Sequence, residues 1–253
     1  MDRELTSQPV LPALGAARSR RYRSKALPEQ GKYLPSRQYW LLRLIMGTYG
    51  ALMVRRIRWV DGVRLDKGPH ILVSNHGNVT DGFLLIAHHP GRLHALIQAE
   101  SFSLPIMGSV FRHSGQIPVA EGQGLTAIDM ARTFLAQGDS VLIYPEGKLN
   151  HGQGMLRGKV GAARLAFETG EPILPVGAYV EPRWSKAIRG HFYDRPTFGH
   201  WQMGGTCYFA VGEAWQPFAP EKDKVDLHEL RLVTDEMMRR IQSLVERARA
   251  AAG

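Results

Sequence analysis

Short apolar runs at residues 71–73, 94–97, 141–144 and 173–176 alternate with helical stretches near residues 82–88, 125–135 and 160–168. That alternation leaves few architectures open. Runs of this length suit buried strands, and strands separated by helices build an α/β domain with a largely parallel sheet covered by helices. In the second helical stretch Leu125, Ile128, Ala131 and Leu135 recur at intervals of three and four, so one face is buried and carries no chemistry. Residues 225–249 repeat the pattern through Leu230, Val233, Met237, Ile241 and Leu244, which predicts a long amphipathic helix closing the fold. A chain of 253 residues with 44% hydrophobic residues can bury one large core, so a single α/β domain is expected over residues 68–253.

The charge is unevenly divided. Through Lys67 there are 14 Lys and Arg against 5 Asp and Glu, and beyond it 18 against 18, from totals of 32 and 23. Arg18, Arg20, Arg21, Arg23 and Lys25 form one basic cluster and Arg55, Arg56 and Arg58 another. Such clusters suit anionic lipid head groups or nucleic acid. Between them residues 39–54 are almost wholly apolar, interrupted by Arg43, and this decides for a membrane surface with anionic lipids and against nucleic acid. The segment falls short of the ~20 apolar residues that span a bilayer. With Tyr39, Trp40 and Tyr49 it fits an interfacial helix, the lesser alternative being a core helix packed on the sheet. Residues 36–67 are thus expected as an amphipathic membrane-interface helical segment. Residues 1–35, with Pro9, Pro12 and Pro28 and no long apolar core, read as a flexible basic tail rather than a secretory signal. The location these features imply is the cytoplasmic face of a membrane, peripheral or monotopic. Cys207 is the sole cysteine; it can make no internal disulfide, and a small buried apolar role is its default.

Immediately after the apolar run at 71–73 comes Ser74-Asn75-His76-Gly77-Asn78-Val79-Thr80-Asp81. An imidazole can take a proton from an alcohol near neutrality, and a carboxylate against its other nitrogen fixes the tautomer and stabilises the imidazolium. His76 and Asp81 are therefore a candidate base and orienter. No serine or cysteine stands in the local setting of an activated nucleophile, which points to direct attack by a substrate hydroxyl. On spacing alone the alternative stays open: Thr80 or Asp81 caps a helix starting at Gly82, with His76 an ordinary loop residue. Further along, Val141-Leu142-Ile143-Tyr144 reads as a buried strand broken by Pro145-Glu146-Gly147, and ligands gather at the carboxyl ends of parallel strands. Lys159-Val160-Gly161-Ala162-Ala163-Arg164-Leu165-Ala166 then opens a helix, and Pro172-Ile173-Leu174-Pro175-Val176 returns as a strand.

These four pieces in this order resemble the lysophospholipid acyltransferase family over roughly residues 36–215. The resemblance implies that His76 deprotonates the free hydroxyl of an acceptor lipid, that Asp81 orients His76, and that the oxygen attacks the thioester of acyl-CoA or acyl carrier protein. It implies no cofactor beyond that co-substrate and no metal. Asn75, Glu146, Gly147, Lys148, Lys159, Arg112 and Arg157 are the candidate substrate contacts. Backbone N–H groups of the Gly77-Asn78 turn, or near Glu146-Gly147, are candidate oxyanion donors.

The departures from the family pattern bear on the acceptor. Members with a phosphate-bearing acceptor have an arginine shortly after an Ile-Pro-Val stretch and another two residues beyond the Glu-Gly. Here Ile117-Pro118-Val119 is followed by Ala120-Glu121, and Glu146-Gly147 by Lys148-Leu149. Lysine does not reproduce the planar guanidinium fork, so the phosphate clamp is weakened, or rebuilt from Lys148, Arg112, Arg157 or Lys159. A lysophospholipid or a related hydroxyl lipid is the expected acceptor; a catalytically silent lipid-binding adaptor of the same fold is the alternative. The aromatic stretch 181–205 fits either an acyl-channel lining or a surface excursion. The histidines at 88, 89, 94, 113, 151, 191 and 200 lack the cysteine and carboxylate spacing of a metal site.

Overall fold

The computed structural model describes residues 36–150, 154–192, 195–220 and 222–253. The tail expected at residues 1–35 lies outside them. Its centre is a seven-stranded sheet built from β1 (Arg56–Trp59), β2 (Ile71–Ser74), β3 (Leu93–Gln98), β4 (Ile117–Val119), β5 (Ser140–Ile143), β6 (Ile173–Val180) and β9 (Thr206–Val211), in the order β1-β9-β6-β2-β5-β3-β4. Every pairing is parallel except that of β6 with β9. β2 lies between β6 and β5, with Val73 opposite Pro175 on one side and Ile143 on the other. The segments leaving β2 and β5 consequently emerge side by side, and these segments carry His76 and Glu146.

The helices are α1 (Ser36–Met53), α2 (Val79–His88), α3 (Met107–His113), α4 (Gly124–Leu135), α5 (Gly161–Thr169) and α6 (Leu227–Ala250). The period-two alternation of a strand sends neighbouring residues to opposite faces, and β2 uses both. Leu72 packs with Leu42, Met46, Leu84, Leu85 and Phe209 on the side of α1 and α2. Ile71 and Val73 pack with Ala127, Leu165, Met237 and Ile241 on the side of α4, α5 and α6. Both faces are covered, which is why the strands read as continuous apolar runs rather than alternating ones. α6 is the long closing helix expected, capped by Asp226, whose side chain accepts from the Glu229 N–H at 2.8 Å.

Residues 36–67 differ from the expected interfacial segment. The helix ends at Met53, and Arg56–Trp59 is an edge strand paired in register with β9. α1 packs on the fold through Tyr39, Leu42 and Met46; the Tyr39 hydroxyl accepts from the Leu93 N–H at 2.7 Å, and Arg43 donates to the Ala87 carbonyl at 2.8 Å. Its other face leaves Trp40, Leu41, Leu44 and Leu52 between 47% and 75% exposed. The helix is thus a core helix on one face and an open apolar surface on the other. No described helix is long and apolar enough to cross a membrane.

The stretch 181–205 contains an antiparallel hairpin of β7 (Ser185–Phe192) and β8 (Arg195–Gln202). It is fastened to the start of α2. Ser185 donates to the Asn78 side-chain oxygen at 2.6 Å, and the Gln202 N–H donates to the Thr80 hydroxyl at 3.0 Å. Tyr49, Phe83 and Trp201 meet edge to face with centroids 5.6–5.8 Å apart, tying hairpin, α1 and α2 together. Cys207 is fully buried in β9.

Candidate active site

His76 and Glu146 meet where the β2 and β5 segments emerge. The His76 N–H donates to Glu146 Oε1 at 3.2 Å, and the His76 carbonyl accepts from the Asn150 N–H at 2.7 Å. Glu146 is buried, and its Oε2 accepts from Asn150 Nδ2 at 2.7 Å and from the Leu156 N–H at 2.9 Å. Three of the roughly four acceptor positions of this carboxylate are thus taken by the protein. Glu146 thereby ties Asn150 and Leu156 to the backbone of His76. Asn75 is likewise engaged by the protein. Its amide donates to the Ala178 carbonyl at 2.9 Å and accepts from the Ala178 N–H at 2.8 Å, so it fastens the end of β2 to β6 instead of facing a substrate.

His76 and Asp81, the candidate base and orienter, sit at opposite ends of a short turn. Asn78, in an extended conformation, is the N-cap of α2, and Asp81 Oδ2 accepts from its N–H at 2.8 Å. The capping reading is thus correct for Asp81, with the helix starting three residues earlier than expected. It does not exhaust the carboxylate. Asp81 is 1% exposed, and its Oδ1 is buried with no hydrogen-bond partner; so is His76 Nδ1. No hydrogen bond joins the two. Burying polar atoms unpaired costs about 1–3 kcal/mol each, and a catalytic role is one of the explanations for such atoms in a native structure.

Burial also sets their ionisation. Desolvation pushes the Asp81 carboxyl up from 3.8 to about 7, against the opposing N–H groups of Asn78 and Gly77. Desolvation pulls the His76 imidazole down from 6.5 to about 4, opposed by the main chain of Asn78. His76 is therefore neutral at neutral pH, as a base must be. Its ring lies flat on Tyr144, centroids 3.8 Å apart and planes 13° from parallel.

The cations are scattered. Gly147 has φ +69°, and a Cβ there would meet the Lys159 Cε and Nζ at 2.6 Å, so the ammonium lies directly over this glycine. Only glycine adopts this backbone without strain while leaving the room. Lys148 is exposed. Arg112 is on α3, hydrogen-bonded to the Phe102 carbonyl. Arg157 lines a cleft of about 340 Å³ between the 155–158 loop and α6, with Asp235, Met238 and Arg239. Of the four residues expected to rebuild a phosphate clamp, Lys159 is the one held against the Glu146-Gly147 turn.

Two of the expected oxyanion donors are engaged within the protein: the Asn78 N–H goes to Asp81, and the Gly147 N–H to the Tyr144 carbonyl at 2.9 Å. Among the described residues no group of three or more His, Cys, Asp or Glu is arranged to hold a metal ion. His94 is in the core, stacked on Phe134 and bonded to the Gly115 carbonyl at 3.0 Å and Asp139 at 3.3 Å; His151 lies outside the described residues. Sequence reasoning missed Tyr144 and Asn150 as site residues. Both adjoin Glu146 in sequence, but only the folded loop brings them against His76.

Comparison with known proteins gives three findings. A family model described as Acyltransferase matches residues 49–179. Human 1-acyl-sn-glycerol-3-phosphate acyltransferase alpha is 29% identical over 138 residues, 49% of this chain and 49% of that protein. The human beta enzyme is 29% identical over 142 residues, 54% and 50% respectively, so the chain spans about half the length of the curated relatives it matches. The crystal structure of the 1-acyl-sn-glycerophosphate acyltransferase PlsC from Thermotoga maritima superposes with a TM-score of 0.57 at 19% identity, over 83% of this chain and 81% of that one. At that identity it is the fold that is shared.

Proposed function

The chain belongs to the acyltransferase family, and within it we propose that this protein transfers a fatty acyl group from a thioester, acyl-CoA or acyl carrier protein, to a free hydroxyl of a lysolipid in glycerolipid synthesis. The observation that carries the reading is the pair of buried, unpartnered atoms His76 Nδ1 and Asp81 Oδ1 at the end of β2. The proton on Nδ1 turns to Asp81, leaving Nε2 for the acceptor hydroxyl. His76 takes that proton as the oxygen attacks the thioester carbonyl. The tetrahedral oxyanion collapses, the C–S bond breaks, and the thiolate leaves with the proton returned from His76. Because both reactants are held in one site, positioning supplies much of the rate. With the Asn78 and Gly147 N–H groups engaged elsewhere, Lys159 is a positive charge available to the oxyanion or to an acceptor phosphate.

The acceptor follows from the scattered cations. With Arg112 bonded to the Phe102 carbonyl, Arg157 lining the cleft against α6 and Glu121 in place of a cation, a single ammonium replaces a bidentate clamp. A lysolipid with a neutral or large head group is expected to be acylated at least as well as lysophosphatidic acid when the two compete in one assay. A preference for lysophosphatidic acid above about a hundredfold, roughly 2.7 kcal/mol, would show an intact clamp. Purified protein that transfers nothing from either donor to a panel of lysolipids would instead support the silent adaptor.

The enzyme works at the cytoplasmic face of a membrane, held there by the outer face of α1. Trp40, Leu41, Leu44 and Leu52 supply the apolar stripe, flanked by the exposed Arg37, Arg55 and Arg56. An apolar helix face with cationic ends binds an interface through buried area plus attraction to anionic lipids. Sedimentation with liposomes should rise with anionic lipid content and fall with salt. Point variants test this better than truncation, because deletion through residue 58 would remove strand β1. Leu44→Ser with Leu52→Ser should weaken sedimentation without changing the melting temperature; unchanged sedimentation would remove α1 from the membrane contact.

A further inference from the structure

Tyr144 is the last residue before the Pro145-Glu146-Gly147 turn, and its two ends do different things. The ring stacks on the His76 imidazole at 3.8 Å. The hydroxyl is buried and has no hydrogen-bond partner. It points at the first turn of α2, since a Cβ added to Gly82 would stand 3.0 Å from Tyr144 Oη. Gly82 adjoins Asp81, whose Oδ1 is also buried and unpartnered. A phenol needs no hydroxyl to stack, and burying one unpaired carries a cost that phenylalanine would avoid. An unpaired donor beside an unpaired acceptor is a contact waiting for the state in which the acceptor is charged.

We propose that Tyr144 is a positioning residue for this reaction: when Asp81 is ionised, the Tyr144 hydroxyl donates a hydrogen bond to its carboxylate and so holds the charge that stabilises protonated His76. The inference rests on the acyltransferase reading for its role in rate, though not for the contact itself. Through the stack Tyr144 fixes the plane of the base; through the hydroxyl it reaches the orienter. The titratable groups facing the pair are His76, from the segment between β2 and α2, and Cys207, from β9. Burial, with Asp81 nearby, pushes the Cys207 thiol well above its ordinary range, so it brings no charge. The Tyr144 phenol is likewise pushed well up by burial and then by Asp81, so it is a donor throughout the working pH range. The Gly82 position explains itself: any larger residue there would press on the hydroxyl and tilt it from the carboxylate.

Tyr144→Phe in the full chain tests this, since it keeps the ring and its stack and removes only the donor. A hydrogen bond to the anion lowers the pKa of an acid, so its loss raises that of Asp81. The acid limb of the kcat/KM profile should move up by about one pH unit, with kcat at pH 7 falling roughly fivefold and KM for donor and acceptor unchanged. A second readout needs no activity. Denaturant unfolding of Tyr144→Phe should show the pH-dependent loss of stability from Asp81 continuing about one unit further toward alkaline pH, and this difference should vanish in an Asp81→Asn background. A pH profile and a stability curve that both superimpose on wild type would overturn the proposal. Wild-type protein without transferase activity would defeat the functional reading alone, with the stability comparison still deciding the contact.

Discussion

His76→Ala should abolish acyl transfer to within background, a loss of about 10²–10⁴ in kcat, the range for a positioned general base. The loss should fall on kcat because the imidazole acts on a proton in flight and contributes little to holding either lipid. The accompanying pH profile separates the base from its orienter. His76 is pulled down to about 4 and Asp81 pushed up to about 7, each by burial. The imidazole is thus already neutral where the carboxyl is still gaining its charge. Wild-type activity should rise with pH through about 7, far above the value at which an isolated imidazole this buried would titrate. A limb near 4 would mean that Asp81 needs no charge, and retained activity in His76→Ala would remove the base altogether. Since His76 also stacks on Tyr144, a melting curve of the variant is needed beside the assay to separate lost chemistry from lost packing.

What could be read from the sequence depended on how local the signal was. β2, β5 and β6 are buried on both faces and announce themselves as apolar runs, and α4 and α6 announce themselves through 3.6-residue periodicity. β1 was hidden because Arg56 and Arg58 alternate with Ile57 and Trp59, and an edge strand that turns charges outward has the composition of a basic cluster. β4 has only three residues and contains Pro118, which is tolerated because the strand lies at the edge of the sheet. The β7–β8 hairpin carries glycines and Pro196 amid aromatics, a composition that does not distinguish it from a loop. In the site, the five-residue step from His76 to Asp81 was legible because it is a property of one turn. The roles of Asn75 and Glu146 were not. They follow from partners 103 and 70 residues away, at Ala178 and the His76 backbone, and nothing in either residue's neighbourhood specifies which polar atoms the fold will consume.

Asp81→Asn should inactivate the enzyme and stabilise the fold at alkaline pH. The unfolded carboxyl titrates near 3.8 and the folded one near 7 because burial disfavours the charge. Between those values the folded state holds more protons than the unfolded state, so stability falls as pH rises through this window. At about 1.36 kcal/mol per pH unit the ceiling on that loss is about 4 kcal/mol by pH 8. Asparagine carries no charge to desolvate, and its side-chain oxygen can still accept from the Asn78 N–H that Asp81 now receives at 2.8 Å. What it gives up is the attraction of a carboxylate to the helix N-terminus, about 0.3–1 kcal/mol, which is smaller than the desolvation it relieves. His76 works in the opposite direction. Its folded value lies below its unfolded one, so it weakens the fold as pH falls from 6.5 toward 4 and leaves the alkaline comparison untouched. Denaturant unfolding of wild type and Asp81→Asn should therefore diverge between about pH 4 and 7 and stay apart above that, with the variant the more stable at pH 8 and the less active at every pH. Should asparagine prove the less stable at pH 8, the carboxylate would be a net structural asset, and its burial beside His76 would need no catalytic explanation. Should the variant be more stable and inactive, the fold is carrying a destabilising charge for the sake of the reaction, as catalytic sites commonly do.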